Sequence, residues 1–511
     1  MIQVRKNLLT NLLSMVVNVI VGILYTPYLV KNLGVAAYGV IPLSLLLNQY
    51  INILANSLTR AVTRFYAVEY KKGNYEEASS YFSSSIVLTL VLAIIFVPLC
   101  CIPIHYLEHL LDIPQELLSS AKILFFLSII SFFVSVSCNC INTTVFSENR
   151  LDLINYVKII RHLSKLIFNF IFFSIYGIDL IWVGVSYLLS EVASILFSIY
   201  AYKTTKPQAI VFSVLKTRYS VIKPVFNMIV WVALISFADT FIYKIDSILV
   251  TNYFGISQTG MLGSMTEIGS YCISIASIIG TLFSPLILIA YSENRHNDVR
   301  SITVDGGYVV GLIACLMCGI IMGGSYRILY LWLTPEIAEN SIWMVIKMAV
   351  IPYTTVGAVY SSVYNYWNKV KVPAIISLVI SAVYVLLSVA LLEMGININI
   401  FLVLNIVAVF AQGYVMNMYM LCKIYPEEKS NTIKKVSKMT LYFGIVLCIS
   451  SVYFRLLNIT NLLQLILTLM LAGLSGLVVG FLFVNETELD MLDMIIPVKR
   501  FFRPLFNKRN D

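Results

Sequence analysis

The residues able to do chemistry in this chain are charges set inside apolar stretches. Asp239, Lys244 and Asp246 lie in SFADTFIYKIDSILVT, Ser236 to Thr251, within an apolar run from about Val225 to Val250. A charge in the middle of a membrane span costs about 2.5–3.5 kcal/mol on the insertion scale, and each Ile, Leu, Phe or Val offsets only about 0.3–0.6. Charges kept at that cost face protein or a water-filled cavity and mark transport routes. At helical spacing Ser236, Thr240, Lys244, Ser247 and Thr251 fall on one stripe, and Asp239, Tyr243 and Asp246 on another. Glu191 lies about twelve residues into a different apolar run, roughly 18 Å from its end at ~1.5 Å per residue. Lys165 sits inside another, four residues after Arg161 and so on the same face. Glu267 is about two turns into a further run, and Arg60 and Arg64 form a pair one turn apart at the end of a fourth.

Two kinds of chemistry suit this set. Guanidinium and ammonium groups bind phosphate oxygens strongly in a low dielectric, so Arg60, Arg64, Lys165 and Lys244 could hold an anionic headgroup. Burial raises carboxyl pKa values, so Glu191, Asp239, Asp246 and Glu267 could take a coupling H+ or Na+. Plainer readings stay open: Lys244 snorkelling to an interface, and Arg60 and Arg64 as ordinary cytoplasmic anchors. The chain has no Walker A loop, G-x-S-x-G elbow or H-E-x-x-H pair, so no ATP hydrolysis, no enzyme chemistry and no cofactor are expected. His105 and His109 lack a third ligand and read as a solvated pair. Cys315-x-x-Cys318 and Cys138-x-Cys140 lack His or acidic neighbours and read as small buried apolar residues.

These residues must be positioned by membrane helices. At 511 residues, 59% hydrophobic and 12% charged, the chain is far below the ~25% charge of soluble proteins. The fold class is therefore all-α integral membrane. The first apolar run, Leu8 to Val30, follows Arg5 and Lys6, is too long for a signal-peptide core and reads as a retained span. Fourteen apolar segments follow one another, the second at about 39–62 and the seventh at about 225–250. Most of the 35 Lys and Arg fall on every other loop, which places both termini in the cytoplasm. The same pattern accounts for the net charge of +9 without nucleic acid. A connection at 203–224 separates six spans in 1–202 from six in 225–423. Two more occupy 424–484, and a basic tail runs from 485 to 511. The halves carry a faint parallel repeat: Gly34 and Gly255, Gly39 and Gly260, and Tyr50 and Tyr271 share one offset. Pro42, Pro98, Pro285 and Pro352 interrupt spans, and Gly319-x-x-x-Gly323 and Gly476-x-x-x-Gly480 predict close helix contacts.

The opening, from Asn11 through NVIVGILYTPYLVKNLGVAAYG to SLTRAVTRFYAVEY ending at Tyr70, resembles polysaccharide-biosynthesis flippases of the Wzx type. So does IDSILVTNYFG, Ile245 to Gly255. These belong to the multidrug/oligosaccharidyl-lipid/polysaccharide exporter superfamily. The resemblance implies a two-lobed, MATE-like protein of the bacterial inner membrane with fourteen helices. It would carry undecaprenyl-pyrophosphate-linked oligosaccharide repeat units (O-antigen or capsule) from the inner to the outer leaflet by gradient-coupled alternating access. It further implies partnership with the bilayer and with polysaccharide polymerase machinery. The family's cationic cavity matches Arg60, Arg64, Lys165 and Lys244 by type and depth. A lipid II flippase or a cation-coupled multidrug exporter of the same superfamily is the alternative. A membrane-bound glycan polymerase or ligase would need a large outer loop that this sequence lacks.

Overall fold

The computed structural model describes residues 2–205, 237, 241–242, 244–293, 295–366 and 371–493, with some side chains inside helices left out, all of those at 53–65 among them. Every regular element among the described residues is helical. Twelve of their helices are long and apolar enough to cross a membrane. Two predicted segments are not among the twelve. The second, 39–62, falls within a single 37-residue helix, Val35–Lys71. Most of the seventh, 225–250, lies outside the described residues.

Residues 1–260 form one compact unit and residues 261–511 another. The first contains α1 (Ile2–Leu33), α2 (Val35–Lys71), α3 (Tyr75–His105), the short α4 (Leu107–Leu110), α5 (Gln115–Ser147), α6 (Leu151–Tyr176) and α7 (Leu180–Thr205). Without a hydrophobic drive between helices in lipid, small residues make the close contacts. Ser186, Ser190, Ser194 and Ser198 are all buried at four-residue steps along α7. The Ser198 hydroxyl meets the Cys138 thiol of α5 at 3.0 Å, and a side chain at Gly184 would come within 3.3 Å of the Leu124 backbone. The opposite faces carry exposed Ile94, Leu99, Phe170 and Leu196, as lipid contact demands.

The repeat seen in the sequence has a backbone counterpart. Gly34 and Gly255 both adopt the left-handed region, at φ 84° and 98°, which a Cβ would strain. Each joins one helix to the next across a single residue: α1 to α2, and the helical stretch 244–254 to α8 (Ile256–Ser292). The bonds correspond as well. The Gly34 N–H donates to the Val30 carbonyl and the Gly255 N–H to the Thr251 carbonyl, both at 3.0 Å. Gly39 and Gly260 then lie against each other: a Cβ on Gly260 would come within 3.1 Å of the Gly39 nitrogen and would also strike the Val35 carbonyl, while one on Gly39 would strike the Ile256 carbonyl. The first turns of α2 and α8 therefore touch backbone to backbone, in a reciprocal arrangement.

The second unit continues with α9 (His296–Gly323), α10 (Ser325–Trp332), α11 (Pro335–Glu339), α12 (Ser341–Met348), α13 (Ile351–Tyr366), α14 (Lys371–Glu393), α15 (Ile398–Phe410), α16 (Met416–Ile424), α17 (Lys429–Leu456), α18 (Leu462–Gly480) and α19 (Glu486–Asp493). The tenth predicted span is broken: α12 ends at Met348, and α13 restarts with Pro352 in its first turn, where a missing N–H costs nothing. A π-turn, Ala411–Val415, separates α15 from α16. The glycine pairs fit α17 closely, as their spacing predicts. A Cβ on Gly323 would come within 2.6 Å of Ser450 Cβ, and one on Gly480 within 3.1 Å of the Tyr442 hydroxyl.

Candidate functional site

In α6, Lys158, Arg161, His162 and Lys165 fall at steps i, i+3, i+4 and i+7, so one helix face is basic for two turns. The last three line an open-mouthed cavity of about 310 Å³ walled by α2, α5 and α7. Each wall contributes a different group: Asn48, Gln49 and Asn52 from α2, serines from α5, and Tyr187, Ser190 and Glu191 from α7. The Lys165 ammonium is held by rings, 4.2 Å from the centroid of Tyr187 and 4.7 Å from that of Tyr25. Cation–π contact fixes it without neutralising it.

Arg161 Nε lies 2.9 Å from Glu191 Oε2. The contact is electrostatic but poorly aligned. Arg161 Nε and Nη2 and Glu191 Oε2 are buried without a hydrogen-bond partner. Asn48 donates to the Ser128 carbonyl at 3.0 Å and leaves its Oδ1 unpartnered. Such atoms are uncommon in a protein interior, and four of them belong to residues that line this cavity. Four kinds of donor therefore converge on one small space: guanidinium, ammonium, imidazole and amide. That set fits a multi-oxygen anion with hydroxyl-rich substituents.

A second cluster on the first unit is fully saturated. Asp152, with no exposed side-chain surface, pairs with Lys6 at 2.8 Å and Arg150 at 3.0 Å and accepts from Gln3 at 2.8 Å. Its own N–H donates to Asn7 Oδ1 at 3.0 Å. This network ties the start of α1 to the start of α6. Beside it the Tyr70 hydroxyl donates to Glu148.

The structure brings together Lys165 and Glu191 of the predicted site residues. Arg161, placed by the sequence on the Lys165 face but not among the candidate site residues, belongs with them: α6 already begins at Leu151, which carries Arg161 about 15 Å along the helix. Asp246 is buried and Lys244 half-buried, both engaged with neighbours, and neither lines the cavity. Glu267 is half-buried on α8 in the second unit. Arg60 and Arg64 lie within α2, but their side chains, like all of Asp239, are outside the described residues. Lys122 pairs with Glu108 at 2.7 Å, and Lys347 donates to Asn405 at 2.6 Å. The sequence reading missed His162, the Tyr25 and Tyr187 rings and the three amides of α2. The four-base stripe on α6 was the available signal, and Asn48 and Asn52, four apart in an apolar helix, were a second. A larger apolar groove of about 750 Å³ runs along Val436, Thr440, Gly444 and Cys448 of α17, with no charge in its lining.

The family profile described as "Polysaccharide biosynthesis protein" matches residues 4–287, more than half of the chain and all four walls of this cavity. The chain belongs to that family. This polysaccharide biosynthesis protein is also 21% identical over 388 residues to the uncharacterized membrane protein EpsK of Bacillus subtilis, a match covering 75% of this chain and 76% of that one. Among solved structures it resembles the lipid II flippase MurJ in an inward closed conformation, with a TM-score of 0.71 at 14% identity over 98% of this chain and 99% of the other. It also resembles an inward-facing multidrug resistance MATE family transporter of the MOP superfamily, with a TM-score of 0.66 at 16% identity over 82% and 98%. At these identities the likeness establishes a shared all-helical membrane fold.

Proposed function

We propose that this protein is a flippase for undecaprenyl-pyrophosphate-linked oligosaccharide repeat units, of O-antigen or capsule type, across the bacterial inner membrane. The observation that carries the reading is the cavity. Arg161, His162 and Lys165 are donors suited to a diphosphate, and Asn48, Gln49 and Asn52 beside them are suited to sugar hydroxyls. Membership in a polysaccharide biosynthesis family supplies the saccharide side of the argument. In this reading the diphosphate enters the cavity while the polyprenyl tail stays in lipid through a lateral gap, and alternating access moves the headgroup between leaflets. Two six-span lobes, 1–202 and 225–423, perform the exchange with the last two spans appended. Arg60, Arg64 and Lys244 extend the basic route, and Glu191, Asp239, Asp246 and Glu267 are the acids available to a coupling H+ or Na+. Polymerase machinery would take up the delivered unit.

Complementation of a flippase-null strain tests this, read as surface polysaccharide together with lipid-linked repeat units held inside. Restored surface glycan with cleared intermediates is the expected result. Failure there, joined with rescue of a strain lacking lipid II flipping, would shift the assignment to the alternative substrate.

A further inference from the structure

We propose that Glu191 is an internal stand-in for the substrate's phosphate: it occupies Arg161 in the empty protein and is displaced when a diphosphate binds. This rests on the reading of the cavity as a diphosphate site. A structural ion pair in the same unit shows what full engagement looks like, since Asp152 accepts from Gln3, Lys6 and Arg150 at once. Glu191 meets Arg161 at 2.9 Å through poorly aligned atoms, leaving buried nitrogens of the guanidinium and a carboxylate oxygen without hydrogen bonds. The pair is close enough to cancel charge yet leaves hydrogen-bonding capacity that an incoming anion can use. Its partner cation Lys165 is fixed by Tyr25 and Tyr187, and among the described residues no carboxylate is paired with it. The cavity's 310 Å³ is the share of roughly ten waters, room for two phosphates to enter beside the existing pair.

The exchange has a clear logic. An empty cavity holding Arg161 and Lys165 uncompensated would bury two like charges, and a buried charge without a partner is costly. Glu191 removes one of them until the anion arrives. The Ser135 hydroxyl of α5 already lies against the Glu191 carboxylate and can keep it as a partner when Arg161 is released. Glu191 is thus a competitor of the substrate as well as a neighbour of it, which gives its removal an unusual sign.

The test is titration of inorganic pyrophosphate into the purified full-length chain, paired with translocation of a fluorescent polyprenyl diphosphate in proteoliposomes. Glu191→Gln should bind pyrophosphate about tenfold more tightly and translocate more slowly. A variant that binds more weakly than the parent, or equally, overturns the inference and leaves the cavity reading standing. If the parent protein does not bind pyrophosphate at all, both fall. Should Glu191→Gln not fold, Glu191→Asp tests the same exchange, because the shorter carboxylate competes less well for Arg161. Its pyrophosphate affinity should rise, and unchanged or weaker affinity overturns the proposal.

Discussion

The two units each hold a lysine among acids, buried at Lys435 and half-buried at Lys165, and they treat it in opposite ways. In the second, Lys435 of α17 reaches Asp305 of α9 at 2.7 Å and also Glu488 of α19, with its ammonium 4.9 Å from the Tyr308 ring. Glu488 in turn accepts from the Asn485 N–H at 2.8 Å. None of the three leaves a buried polar atom unpartnered. In the first unit, Lys165 rests on aromatic rings, and the adjacent Arg161–Glu191 pair leaves several atoms unsatisfied around a cavity. One cluster is a clamp that fastens α19 to its unit. The other is, in the function proposed above, the place where the substrate's headgroup binds. Satisfaction of hydrogen bonds, more than the number of buried charges, tells them apart.

The largest effect should come from breaking the clamp. Lys435→Met strands two acids in the interior and should cost about 3–5 kcal/mol of stability, read from thermal unfolding in detergent. Replacing all three residues by apolar side chains of similar volume should recover most of that loss. A single variant that melts like the parent would erase the distinction between the clusters. Lys165→Met should do the reverse, cutting translocation roughly 10–100-fold, the range for losing one charge-assisted bond, while melting nearly as the parent does. Asn48→Leu sharpens the same contrast. It gives up one bond to Ser128 and removes an unpartnered acceptor, so stability should change by less than about 1 kcal/mol while export declines.

The smallest effect belongs to an exposed pair outside both clusters. The hydrogen bond from Lys122 holds the Glu108 carboxyl below its ordinary value. A lowered folded-state value means that the contribution is present at neutral pH and fades as the pH falls through the carboxylate range. Lys122→Met should therefore melt slightly below the parent at pH 7, and the difference should shrink and disappear as the pH falls below the range in which the Glu108 carboxyl ionises. A difference that persisted at acid pH would point to packing by the lysine stem instead.

Much of the fold was legible because lipid imposes simple rules. Apolar length predicted the helices, and Gly34 and Gly255, picked out by a shared offset, proved to share a left-handed conformation that few other residues adopt. The glycine pairs at 319–323 and 476–480 became close contacts because only their absent side chains allow the approach. The site was harder to read, since depth was judged from apolar runs alone. That singled out Lys165 and Glu191 and left Arg161 as a neighbour on the Lys165 face, although α6 starts early enough to carry Arg161 into the same cavity. The amides of α2 gave no charge signal at all. Asp152 and Lys435, both fully engaged, stood out no more than ordinary loop residues, because saturation is a property of geometry and leaves no mark in composition.

The most direct test of the cavity as the substrate site is surface polysaccharide and accumulated lipid-linked repeat units in cells whose only flippase is this protein carrying Arg161→Gln and Lys165→Met, at membrane levels matched to the parent. The account predicts loss of surface glycan with intermediates building up inside. Full surface glycan with no accumulation would contradict it.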